Sequence, residues 1–181
     1  MPDKGGTSLL VNPLPDCPPE IGRALWMLED ARRRTRVALK GFNSAHVDLA
    51  IEPSGFTVGT LLYHIAAIEL DWLYSDVLQS EWPEGLVPLF SYDVRDDHGK
   101  LTRVDGKAYG WYWTGLAAVR WHLLAAFRSM TLEDFRRPRS LPKYDVTPEW
   151  VLHHLCQHEA EHRSELAALC ARAGQTEKQN T

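Results

Sequence analysis

A chain of 181 residues, 44% hydrophobic and 24% charged, is long enough for one domain with a full apolar core and needs no disulfide staples. Its formal charge of −4 and pI near 6.0, without a basic stripe, exclude a protein built to grip the phosphate backbone of nucleic acid. No run approaches the roughly eighteen apolar residues of a membrane span, and Met1-Pro-Asp-Lys-Gly-Gly-Thr7 lacks the pattern of a cleavable leader, so a soluble, cytoplasmic protein with no membrane partner is expected.

Residues 1–17 are rich in proline and glycine and predict an extended arm, with Leu9, Leu10 and Val11 as its packing residues. From Pro18 a helical pattern runs through Ile21, Leu25, Leu28, Val37 and Leu39 to about Lys40. Arg32, Arg33 and Arg34 interrupt it and read as a solvated face. Pro53-Ser-Gly55 breaks the chain before a second helix over residues 57–74, with Thr57 as its cap. On that helix His64 lies about 40° from Ile68 and about 60° from Leu61, bordering the buried face, with Asp71 near enough to orient it. A core or capping histidine is the competing reading.

Residues 80–108 lack helical periodicity but hold Trp82, Leu86, Leu89, Phe90 and Tyr92, which predicts a long ordered loop. Tyr109–Arg128 predicts a third helix, apolar on most sides, with Trp111, Trp113 and Trp121 in the core. His122 on this helix has no ligand-spaced partner. Met130–Phe135 suits one short turn. The loop carrying Arg136, Arg137 and Arg139 reads as solvated, although an anionic substrate would meet it there.

The fourth helix begins at Thr147-Pro-Glu149, a capping residue, a proline and an acid at the positive end of the helix dipole, and is expected to stop near Ala173, with Gly174 past its end. Residues 175–181 then form a polar tail. Taking His158 as origin, Val151 and Leu169 fall near about +20°, His162 near about +40° and Leu155 near about +60°, so both histidines sit in the apolar stripe. Imidazoles spaced i, i+4 on one face offer two ligands to a divalent metal. His154 sits near about −40°, at the edge of the stripe beside Glu161 and Glu165. Surface histidines in a polar run are the competing reading. Cys17, Cys156 and Cys170, an odd set without a C-x-x-C, suit reduced thiols that fill space.

Four long helices without strand alternation predict an all-α four-helix bundle over residues 18–174. Leu61-Leu-Tyr-His-Ile-Ala-Ala-Ile-Glu-Leu-Asp-Trp72 and Val151-Leu-His-His-Leu-Cys-Gln-His-Glu-Ala-Glu-His-Arg163 resemble the two signature helices of the DinB/YfiT-like superfamily of metalloenzymes. The resemblance implies a bundle with a long helix 2 to helix 3 connection, often dimeric, and a triad of metal ligands falling on His64, His158 and His162. The wheel geometry prefers the same three over His46, His98, His122, His153 and His154. Family members often continue His-Arg-Gly-Gln where this chain has His162-Arg-Ser-Glu165, so Ser164 replaces a glycine and local packing is expected to differ.

A three-imidazole donor set suits a divalent transition metal, with Zn or Ni expected, and leaves positions open for water or substrate. Glu159 and Glu161 are the candidate catalytic carboxylates, as a general base or behind the ligands. The resemblance implies transfer of a low-molecular-weight thiol to an electrophile, with metal-assisted hydrolysis as a neighbouring possibility, on a small-molecule substrate and in a homodimer. The alternative is a non-enzymatic, stress-associated metal-binding or interaction protein whose fourth coordination position is closed, for instance by Glu159 or Asp71.

Overall fold

The computed structural model describes residues 9–50 and 55–179, with side chains as far as Gly174. Its helices are α1 (Pro19–Ala38), α2 (Val58–Asp71), α3 (Tyr109–Arg128), the short α4 (Leu132–Arg136) and α5 (Pro148–Gln179). A two-residue antiparallel hairpin, β1 (Arg139–Ser140) with β2 (Asp145–Val146), joins α4 to α5 in the register Arg139 to Val146. This hairpin is too short for alternation to reveal in sequence.

α1 packs chiefly on α5 and α2 chiefly on α3, with further faces between α2 and α5 and between α1 and α3. Sequential α1 and α2 therefore lie across the bundle from each other, while α2 and α5 are neighbours. That adjacency brings the two histidine-bearing helices together. α2 is buried almost throughout from Val58 to Leu70, as befits the helix with the most apolar sequence. Thr57 accepts the Thr60 N–H at 2.9 Å and caps it as expected. Gly59 permits close approach to α3, since a Cβ there would sit 2.6 Å from the Tyr112 ring.

Where α2 was expected to end, the chain widens into a π-helical turn, Trp72–Leu78, closed by Gln79 in the left-handed region. The long loop packs on the core through the apolar residues that its sequence offers. Leu86 and Phe90 are buried, and the Tyr63 hydroxyl donates to Tyr92 O at 2.7 Å. Thr60 Oγ1 accepts the Val104 N–H at 3.2 Å.

Several expectations change. Leu9 and Leu10 are exposed, and the arm docks instead through Leu14, whose N–H donates to Gly22 O at 3.0 Å. The approach is close enough that a Cβ at residue 22 would lie 2.5 Å from Leu14 O. Residues 1–8 and the break at Pro53-Ser54 lie outside the described residues, as do the side chains of the expected tail. α5 continues through Gly174 to Gln179. The glycine is not left-handed, and an interior glycine costs a helix only about 1 kcal/mol. Val37 and Trp121, expected inside, are exposed. Arg32 and Arg120, by contrast, are buried.

Arg32 and Arg120 form a buried, charge-balanced lattice with Glu69 and Glu159, tying all four long helices together. Arg32 donates to Glu159 at 2.7 Å and to Glu69 at 2.8 Å. Arg120 donates twice to Glu69, at 2.6 and 2.9 Å, and once to Glu159 at 3.3 Å. Burial opposes each charge, but the opposite partners win: Glu69 is held below the usual carboxylate range and Arg120 is driven further up. Arg139 likewise belongs to no solvated loop. It is buried and donates to Val77 O, to backbone carbonyls of α4 and its turn, and to the Asp134 carboxylate.

Candidate metal centre

His64 sits midway along α2 on a buried face, and α5 turns His158 and His162 towards it from one helical turn apart. Thr147 starts α5, its hydroxyl accepting the Trp150 N–H at 3.1 Å. The three Nε2 atoms converge: His158 Nε2 lies 3.0 Å from His64 Nε2 and 3.1 Å from His162 Nε2. Bonds of about 2.0–2.1 Å to one ion place two nitrogens about 2.9 Å apart at a right angle and about 3.3 Å apart at the tetrahedral angle. The two His158 separations fall between those values, and the three donor atoms all lie within 4.8 Å of one another. A proton on His158 Nε2 serves one of its two neighbours, whereas one cation serves all three nitrogens.

His64 is 4% exposed. Burial, then the facing His162 ring, pushes the His64 pKa down to about 3, and His158 is pushed to about 3 in the same way. Both rings are therefore neutral with lone pairs available, the state a metal requires. Arg95, from the long loop, adds to both shifts. His162 Nδ1 meets Glu165 Oε2 at 2.5 Å. A carboxylate there draws the proton to Nδ1 and turns the Nε2 lone pair into the cluster, the usual second partner of a metal-bound histidine. His64 Nδ1 is buried without a partner.

The other candidates are placed elsewhere. Glu159, expected near the ligands as a base, is buried in the lattice with both oxygens on arginines. It lies one residue, about 100°, round the helix from His158. Glu161 is exposed and outside the histidine cluster. Asp71 accepts the Ser75 hydroxyl at 2.7 Å and leaves His64 unattended. His154 lies beside the triad: its ring centroid is 5.9 Å from that of His158, and it stacks on Trp150 at 5.0 Å. His122 takes the Tyr74 hydroxyl at 2.9 Å. The cysteines are unpaired and their thiols are pushed up by burial, Cys156 to about 11, so none is a ready nucleophile. Among the described residues, the one group of histidine, cysteine or carboxylate side chains able to share an ion is His64, His158 and His162.

Sequence reasoning overlooked Glu165 as a partner, although its i, i+3 spacing from His162 carries the signal. Ser164, in place of the family glycine, is exposed and takes up no space between helices.

A family model for the DinB superfamily matches residues 27–166. Among solved structures, a conserved protein from Enterococcus faecalis is similar with a TM-score of 0.61 at 15% identity, covering 82% of this chain and 95% of that one. YfiT from Bacillus subtilis, described as a probable metal-dependent hydrolase with an unusual four-helix bundle topology, is similar with a TM-score of 0.58 at 19% identity, covering 85% of this chain and 87% of its own. At such identities these likenesses speak for the bundle fold. No curated protein sequence gives a significant match. No helix among the described residues is long and apolar enough to cross a membrane.

Proposed function

Because the chain belongs to the DinB superfamily, we propose that His64, His158 and His162 hold one divalent transition-metal ion, Zn or Ni, and that the protein is a metal-dependent transferase joining a low-molecular-weight thiol to an electrophile. The convergence of three Nε2 atoms, two of them on rings kept neutral by burial, carries this reading. When bound, the ion supplies a Lewis-acid centre that lowers the pKa of a coordinated thiol or water.

The protein's own residues do the rest. Buried His64 and His158 present lone pairs without first losing a proton. Glu165 holds the His162 proton on the nitrogen away from the cluster. Glu159 and Asp71 are engaged with arginines and Ser75, so neither closes a fourth position, which supports a catalytic site over a structural one. In the reaction a sulfur electron pair forms the C–S bond, the pair of the broken bond departs with the leaving group, and the thiol proton passes to solvent. Such a transfer needs no carboxylate base beside the triad. This favours it, since Glu159 is committed elsewhere and Glu161 faces solvent.

The description of YfiT favours a second reading, hydrolysis with water in place of the thiol. His154 is then the neutral base at hand, its pKa lowered by burial. Assays of small thiols with a chloronitrobenzene, run beside ester and amide substrates, separate the two. In either case His162→Ala loses metal and turnover together; full turnover in that variant contradicts the proposal. We place the protein in the cytoplasm, where three unpaired cysteines stay reduced, and expect a homodimer.

A further inference from the structure

A cavity of about 540 Å³ lies where the π-helical turn, the hairpin and the start of α5 meet, and it falls within the roughly 300–1,000 Å³ of small-molecule sites. Trp72, Tyr144 and Trp150 wall it, with Pro138 and Val146 completing the apolar surface. Trp72 meets Trp150 at 5.4 Å and Tyr144 at 6.2 Å between ring centroids, both tilted. Tyr144 and Trp150 keep about half their surface exposed at 48% and 47%, although large aromatic side chains are normally well covered. The π-helical turn begins at Trp72, and such turns are frequent at functional sites.

The cavity is linked to the triad by the helix itself. Trp150, His154, His158 and His162 follow at intervals of four, and His154 stacks on Trp150, meets Trp72 edge-on at 4.9 Å and has His158 on its far side at 5.9 Å. Eight residues at about 1.5 Å each put Trp150 about 12 Å from His158 along α5. This row of side chains on α5 runs from the wall of the cavity to the triad.

The lining also states a charge preference. Its ionisable members are Asp145, an acid, and Tyr144, whose hydroxyl donates to the buried Asp76 at 2.7 Å; no basic side chain is among them. The nearby Arg139 is spent on Asp134 and on carbonyls, and Arg136 faces Glu149 at 3.7 Å. An anionic ligand would meet carboxylates without a cation, whereas a neutral ring meets three aromatic walls.

We propose that this cavity is the subsite for a neutral, flat aromatic group on the electrophile, Trp150 and Trp72 fixing the ring while the reacting atom reaches the triad. The inference rests on the metal-dependent reading above.

The test uses matched probes, 2-naphthol and naphthalene-2-sulfonate, titrated calorimetrically into wild type, Trp150→Ala and His158→Ala. Naphthol should bind wild type once, about tenfold more tightly than the sulfonate, and lose about tenfold in Trp150→Ala, whose metal content stays that of wild type. Equal or tighter binding of the sulfonate, an unchanged Trp150→Ala, or no naphthol binding would overturn the subsite. His158→Ala should retain naphthol binding within about twofold, as no triad residue lines the cavity. Failure of the metal reading thus registers in elemental analysis, and failure of the subsite in the titration. In cobalt-loaded wild type the bound naphthol signals should broaden relative to the zinc form. Identical line widths would overturn the placement beside the triad.

Discussion

Glu165 touches His162 from the exposed edge of the site, so it can be changed without disturbing the core. Glu165→Gln removes the charge that keeps the His162 proton on Nδ1, and metal affinity should fall by about 10–100-fold with the fold intact. Competition with a chelating dye checks this; an unchanged affinity would leave Glu165 a surface acid. His64 makes a different prediction. Its folded pKa of about 3 lies below the ordinary 6.5, so between those values the unfolded chain binds a proton that the folded one refuses. Metal-free protein should therefore lose stability as pH falls from about 6.5 towards about 3, with His64 alone giving a slope of about 1.4 kcal/mol per pH unit, and should be level in this respect above about pH 7. Urea unfolding at several pH values reads the slope, and His64→Leu should reduce it.

At the scale of helices, the lattice of Arg32, Arg120, Glu69 and Glu159 fixes how α5 is rotated against α1, α2 and α3, and so which way His158 faces. Removing one member leaves a buried charge without its partner. Glu69→Gln should destabilise the protein by about 3–5 kcal/mol in chemical denaturation, and a loss under about 1 kcal/mol would show that the lattice is not holding the bundle. Gly59→Ala drives a methyl into the Tyr112 ring and should cost about 1–3 kcal/mol by the same measurement. The lattice also explains where sequence reading stopped. The apolar stripe of α1 is plain through Ile21, Leu25 and Leu28, but periodicity assigns the next buried position to an apolar residue. Here Ala31 is followed inside by Arg32, tolerated there because Glu69 and Glu159, far away in sequence, meet it. Pairings of that kind leave no local pattern. The histidine cluster was legible because two of its members lie on one helix at i, i+4 in an apolar stripe. The cap at Thr147 was legible for the same local reason. The cavity of Trp72, Tyr144 and Trp150 joins three elements and was not.

The bundle as a whole places α1 across from α2, so that α2 and α5 share the face on which the triad forms, and it leaves Met27 and Val37 of α1 and Trp121 of α3 exposed. α1 and α3 are neighbours, and Trp121 stands exposed beside a groove that Glu29, Arg33 and Arg36 also line, which makes it the residue to change in testing the proposed homodimer. Trp121→Glu should then shift sedimentation from dimer to monomer while metal content stays constant; a wild type that sediments as a monomer would remove the dimer from the account. The most direct test of the central claim is elemental analysis of untagged protein, purified without chelator, beside His158→Ala. About one equivalent of Zn or Ni per chain is expected in the wild type, and its loss in the variant. Metal in neither protein, even after reconstitution, or equal metal in both, would contradict it.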